Sequence, residues 1–143
     1  MATEQELSGQ DYRALARFRY LIRHFLQFSE AAARGEGLEA QQHQMMLAIR
    51  AAEEAGGPTI GRLAEQLFIR HHSAVGLADR LEEHGLVARH RSEGDRRQVR
   101  LRLTERGEQV LEHLTQSHQS ELRKLGPELV NALAGLLQEV GTR

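Results

Sequence analysis

The chain has 143 residues, one ordinary domain's length, and is 40% hydrophobic and 27% charged with two prolines, which fits a globular protein and excludes wholesale disorder. No apolar run approaches the ~20 residues of a membrane span. Residues 1–10 are polar and acidic, without the basic flank and apolar run of a secretory signal, so a cytoplasmic protein with no membrane partner is expected. Zero cysteines fit that compartment and exclude a disulfide framework, a thiolate zinc site and a cysteine-based peroxide sensor.

Residues 11–34 place Leu15, Phe18, Ile22, Phe25 and Ser29 at steps of three or four, the stripe of a long amphipathic helix that Gly35 and Gly37 end. A second helix is expected from about Glu39, through Met45, Met46 and Ile49 to Ala55, before the stop Gly56-Gly57-Pro58. Thr59 then caps a short third helix, Ile60 to Leu67, and Phe68-Ile69 is only long enough for a turn. A fourth helix from about Arg70 to His84 turns Ala74, Leu77, Ala78 and Leu81 inward and meets a left-handed cap at Gly85. The period then changes to two. Leu86 to Arg91 and the alternating Val99, Leu101 and Leu103 read as two strands around the turn Ser92-Glu93-Gly94-Asp95. Thr104 caps a further helix through Val110, Leu111, Leu114 and Leu122, which Gly126-Pro127 should interrupt. A last helix carries Leu129, Val130, Leu133, Leu136, Leu137 and Val140.

The net charge of −1 conceals a polarised distribution. Between Arg89 and Arg102 six arginines face two acids, a local +4 that leaves −5 for the rest, so the hairpin should have a basic outer face. Helix, short helix, turn, helix, hairpin is the outline of a winged helix-turn-helix, mainly α with a small β-hairpin wing. Its second helix suits a major groove about 12 Å wide, and its basic hairpin suits phosphates or a neighbouring minor groove.

The run Leu77-Ala78-Asp79-Arg80-Leu81-Glu82-Glu83-His84-Gly85-Leu86-Val87, then Asp95-Arg96-Arg97 and Leu103-Thr104-Glu105-Arg106-Gly107, resembles the signature of MarR-type transcriptional regulators. Gly37-Leu38, Gln41 and Leu63-Ala64-Glu65-Gln66-Leu67 are similar to that family as well. The resemblance implies one MarR-like domain over residues 1–143. Within it a winged-helix DNA-binding lobe spans about 37–107, and dimerisation helices span about 8–34 and 105–143. It further implies a homodimeric repressor that binds a pseudo-palindromic double-stranded operator and is released by a small aromatic or phenolic effector.

On the presumed recognition helix, Arg70, His71, His72, Ser73, Gly76 and Arg80 avoid the apolar face and are the candidates for base and phosphate contact. Two features depart from the family: Phe68 stands where a small turn residue is common, and Arg70-His71-His72 replaces the usual pattern of small hydroxyl and arginine. In the wing the resemblance assigns Arg97 to the minor groove with Asp95 holding it, and Arg96 lies between them. A neighbouring carboxylate pre-organises a guanidinium that would otherwise lose rotamer entropy on insertion.

Phe25, His43 and Met46 are the candidate effector-lining residues, an apolar wall with one polar handle where the first and second helices approach the wing-following helix. Eight histidines raise a zinc-responsive alternative, but His113 and His118 are five apart and His71 and His72 adjacent, which are poor spacings for shared ligation, so no metal site and no cofactor are expected. Enzymatic function has no support. Nucleophilic cysteine, phosphate-binding glycine loop, His-Glu-x-x-His and nucleophile elbow are all missing. The competing class is a winged helix that binds an acidic protein partner in place of DNA.

Overall fold

The computed structural model describes residues 6–92, 94 and 97–137. In chain order the elements are α1 (Gly9–Gly35), α2 (Ala40–Ala51), a 3-10 turn (Glu53–Ala55), α3 (Ile60–Leu67), α4 (His71–Glu83), β1 (Val87–Arg91), β2 (Val99–Leu103) and α5 (Glu105–Leu137). They form two compact units, Glu30–Gln116 and the terminal pair Met1–Ser29 with Ser117–Arg143. The long helices α1 and α5 each contribute to both.

The Glu30–Gln116 lobe is built around one apolar cluster. Leu38, Met45, Met46, Ile49, Leu63, Leu77, Leu81, Val87, Leu101, Leu111 and Leu114 are all buried in it, drawn from four helices, both strands and the loop before α2. Local signals fix the ends of the elements. Leu38 N–H donates to Ala33 O at 2.9 Å over a left-handed Gly37, which ends α1. Arg62 N–H donates to Thr59 Oγ1 at 3.3 Å at the start of α3, and Gly107 N–H to Thr104 Oγ1 at 3.1 Å at the start of α5. The second helix stops at Ala51, short of the expected Ala55, because Ala52 N–H turns to Ile49 O as well as Ala48 O and the chain tightens into the 3-10 turn.

The strands pair antiparallel with Val87 opposite Leu103 and Arg91 opposite Val99. A third edge, not anticipated from sequence, joins them: Thr59 bridges Arg100, and Leu101 N–H donates to Pro58 O at 2.9 Å. Gly57 makes this approach achievable, since its φ is +88 and a Cβ there would collide with the Leu101 carbonyl oxygen. A similar close approach fastens α5 to the end of α4. Thr104 Oγ1 donates to Gly85 O at 2.6 Å, Arg106 donates to His84 O at 2.8 Å, and Gly107 lies against the Leu86 carbonyl with no room for a Cβ.

In the terminal unit Leu21 and Leu125 are buried, and the stripe around Phe18, Ile22, Phe25 and Phe28 is half-buried, while Leu15 stays exposed. The expected break at Gly126-Pro127 does not occur: α5 runs through Pro127 to Leu137. Pro127 removes one hydrogen bond, to the exposed Arg123 turn, where water can satisfy the carbonyl. Its ring ordinarily crowds the preceding Cβ, and Gly126 has none. One continuous helix therefore replaces the two expected.

Candidate nucleic-acid interface

Helices α3 and α4 are joined by a turn in which Phe68 takes a left-handed conformation, φ 55 and ψ 41, with Ile69 N–H donating to Ala64 O at 3.1 Å. Arg70 is the extended N-cap of α4 and supplies no side-chain cap. The first N–H groups of α4, which have no partner within any helix, are left without a side-chain cap here, in an exposed first turn where the positive end of the helix dipole favours phosphate. Ala74, Leu77, Ala78 and Leu81 lock the opposite face into the core, as the periodicity requires.

The six candidates on this element come together. Arg70, His71, His72, Ser73 and Arg80 are exposed, and Gly76 sits half-buried among them with nothing within 4 Å of where its Cβ would be. From Gln66 to Ala78 there is no acidic residue. Asp79 follows, and it is engaged: Arg89 of β1 donates to Asp79 Oδ1 at 2.7 Å and to Glu82 Oε1 at 3.0 Å. The Asp79 hydrogen bond is the main reason the Arg89 guanidinium titrates above its ordinary range. This clamp ties β1 to α4 and offsets the carboxylates beside the candidate face.

The wing is less uniformly basic on its outside than alternation suggested. Arg89 is spent on α4, and Arg100 bends back to donate to Gly57 O at 2.6 Å and to Gln98 Oε1 at 3.2 Å. Arg91, Arg97 and Arg102 are exposed. Asp95 and Arg96 lie outside the described residues. Period-two counting missed the turn of Arg100 toward a glycine carbonyl 43 positions away, and the two carboxylates that hold Arg89 are likewise set by tertiary contact.

The effector candidates fall in different units. Met46 is fully buried and His43 5% exposed within the lobe. Phe25 belongs to the terminal unit, where it and Phe28 meet His118 edge-on at 5.8 and 5.6 Å, with His118 Nε2 2.7 Å from Ser29 Oγ. A groove of about 290 Å³ in the terminal unit is lined by Arg17, Tyr20, Leu21, His24, Glu121, Lys124, Leu125 and Glu128, and by none of the three candidates. Among the described residues no three His, Asp or Glu side chains gather as metal ligands. His113 pairs with Glu36, and His24 lies 4.0 Å from Glu121. No helix of the described residues is long and apolar enough to cross a membrane.

Comparison with known proteins adds independent evidence. The MarR family model matches residues 36–98, the segment from the end of α1 through the wing. The transcriptional activatory protein BadR of Rhodopseudomonas palustris is 35% identical over 85 residues, 59% of this chain and 49% of BadR. Matched segments span 49% to 62% of the length of three such curated relatives. AbsC, a MarR family regulator from Streptomyces coelicolor, shares the fold with a TM-score of 0.71 at 20% identity, covering 96% of this chain and 95% of AbsC. A point variant of MepR from Staphylococcus aureus, bound to an oligodeoxyribonucleotide, has a TM-score of 0.62 at 21% identity, covering 88% and 84%. The segment 36–98 is thus similar in sequence to the MarR family, and the fold is shared with a MarR family regulator along nearly the whole chain.

Proposed function

We propose that this protein is a sequence-specific, double-stranded-DNA-binding transcriptional regulator and not an enzyme. The observation that carries the reading is the acid-free, outward-facing start of α4, with Arg70, His71, His72 and Ser73 exposed around an uncapped helix N-terminus, beside a wing that presents Arg91, Arg97 and Arg102. The oligonucleotide-bound MepR variant supports it as a fold-level precedent. Recognition uses His71, His72, Ser73, Gly76 and Arg80 toward base edges and Arg70 toward phosphate, with Arg97 of the wing entering the adjacent minor groove, Asp95 holding it and Arg96 beside it on the backbone. A duplex partner places its work in the cytoplasm.

The working form is a homodimer on a pseudo-palindromic operator. Support comes from the terminal unit, where Leu7, Tyr12, Leu15, Tyr20, Leu26, Val130, Leu133 and Leu137 are exposed on the single chain. Occupancy of the operator blocks transcription, and a small aromatic or phenolic effector lowers DNA affinity. The sequence resemblance to the family supports this last part.

Selection of genomic fragments by the purified protein, followed by titration of the recovered duplex in increasing salt, tests the reading. A steep linear fall of log K with log salt is expected from phosphate contacts. Binding of an acidic protein with no salt-dependent duplex affinity would establish the protein-contact alternative.

A further inference from the structure

We propose that Phe68 reads the 5-methyl group of a thymine at the edge of the major groove, an inference that rests on the DNA-binding role proposed above. Phe68 is the one non-glycine with positive φ among the described residues, and its side chain is 96% exposed. Both facts oppose stability. A bulky aromatic in the left-handed region is disfavoured where glycine or asparagine is at ease, and an exposed ring forgoes burial.

The backbone conformation itself is explained. Phe68 N–H donates to Glu65 O at 3.2 Å and Ile69 N–H to Ala64 O, which reverses the chain and lets Ile69 pack on the core. The identity of the side chain is not explained by the fold, because nothing internal packs on the ring. Strain retained without an internal gain points outward, to a bound partner.

Position and charge select that partner. Phe68 stands two residues before Arg70, at the head of the helix whose exposed first turn is His71, His72 and Ser73, inside the acid-free run from Gln66 to Ala78. A polyanion is drawn to this end of the lobe. A phenyl ring has no donor or acceptor, so it cannot read the polar pattern of base edges. The apolar feature of the major groove is the thymine methyl.

The test uses the full-length protein and the duplex it selects from a random-sequence pool, with binding followed by fluorescence anisotropy. Phe68→Asn should bind this duplex about tenfold more weakly, while its melting temperature rises by a few degrees because asparagine tolerates the left-handed turn. Replacing thymines by uracil one at a time should reproduce the wild-type loss at one position in each half-site, and that uracil should cost Phe68→Asn nothing further. Equal losses for Phe68→Asn on thymine and uracil duplexes, or no uracil sensitivity in the wild type, would overturn the methyl contact. A lower melting temperature would do so too, by showing that the ring holds the fold. A wild type that retains no duplex overturns the DNA-binding role together with this contact, whereas a wild type that binds with Phe68→Asn unchanged overturns this contact alone.

Discussion

The two units of this protein treat their apolar residues in opposite ways. In the Glu30–Gln116 lobe sixteen apolar residues are buried in one cluster, and the exposed large ones are Leu47 and Phe68. Among the described residues of the terminal unit only Leu21 and Leu125 are buried, and nine large apolar residues stand exposed. A lobe that completes its own core has a surface free for polar recognition. A unit that does not leaves an apolar face exposed on the single chain, the face proposed above for the dimer.

The largest effect should come from charging the unsatisfied unit. Leu15→Glu combined with Leu133→Glu would place carboxylates in the proposed dimer interface, each costing several kcal/mol if it stays ionised there. Sedimentation equilibrium at micromolar concentration should give about twice the 16.2 kDa chain mass for the wild type and the single chain mass for the variant. A wild type that sediments as a monomer would remove the interface from the comparison and leave the exposed face unexplained.

Within the lobe the sharpest dependence should be on Gly107. A Cβ there meets the Leu86 carbonyl, a backbone atom that cannot move without shifting β1 or the start of α5. Gly107→Ala should destabilise by about 2–4 kcal/mol, within the range of overpacking and backbone strain. Calorimetry should show the loss in the lobe's transition, and DNA affinity should fall with it. Gly135→Ala, in the terminal unit, has nothing within 4 Å and serves as the contrast.

Legibility in the sequence followed the same division. Elements ended by local chemistry were readable: Gly37 and Gly85 adopt the left-handed caps, Thr59 and Thr104 accept from the first turn of their helices, and the period change at Leu86 marks the wing. What failed depended on distant partners or on competing local rules. Gly-Pro reads as a helix stop because proline loses a hydrogen bond, yet the missing Cβ of Gly126 removes the other half of the penalty. Arg100 looks outward by alternation while Arg89 shares the face of Val87 and Leu101, and only the fold brings the Gly57 carbonyl to the one and Asp79 and Glu82 to the other. The exposed face of α4 was readable because burial of Leu77 and Leu81 dictates which side remains.

Removing a groove-reading arginine should cost less than breaking the fold. Arg97→Ala is expected to weaken operator binding by about 1–3 kcal/mol per subunit. Arg34→Ala, which loses an exposed pairing with Glu30 at 3.6 Å on the other side of the sequence from the wing, should change it little. Asp95→Ala should reproduce part of the Arg97 loss, if its carboxylate aims that guanidinium. Competition titrations on the selected duplex compare the three directly. Equal, negligible effects at Arg97 and Arg34 would take the wing out of the interface.

The smallest expected effect carries a sign that separates folding from recognition. Gly76 lies inside α4, where glycine is disfavoured relative to alanine by about 1 kcal/mol, and the space where a Cβ would stand is open. For the isolated protein Gly76→Ala should therefore be stabilising, raising the melting temperature by a few degrees. On the operator the same methyl would stand on the face shared with His72, Ser73 and Arg80, where the helix backbone comes nearest to the base edges, and affinity should fall. A variant that is more stable and binds less tightly cannot be explained by damage to the fold. Unchanged affinity with raised stability would mean that α4 meets DNA through its N-terminal turn alone, and the groove-facing set would shrink to Arg70, His71, His72 and Ser73.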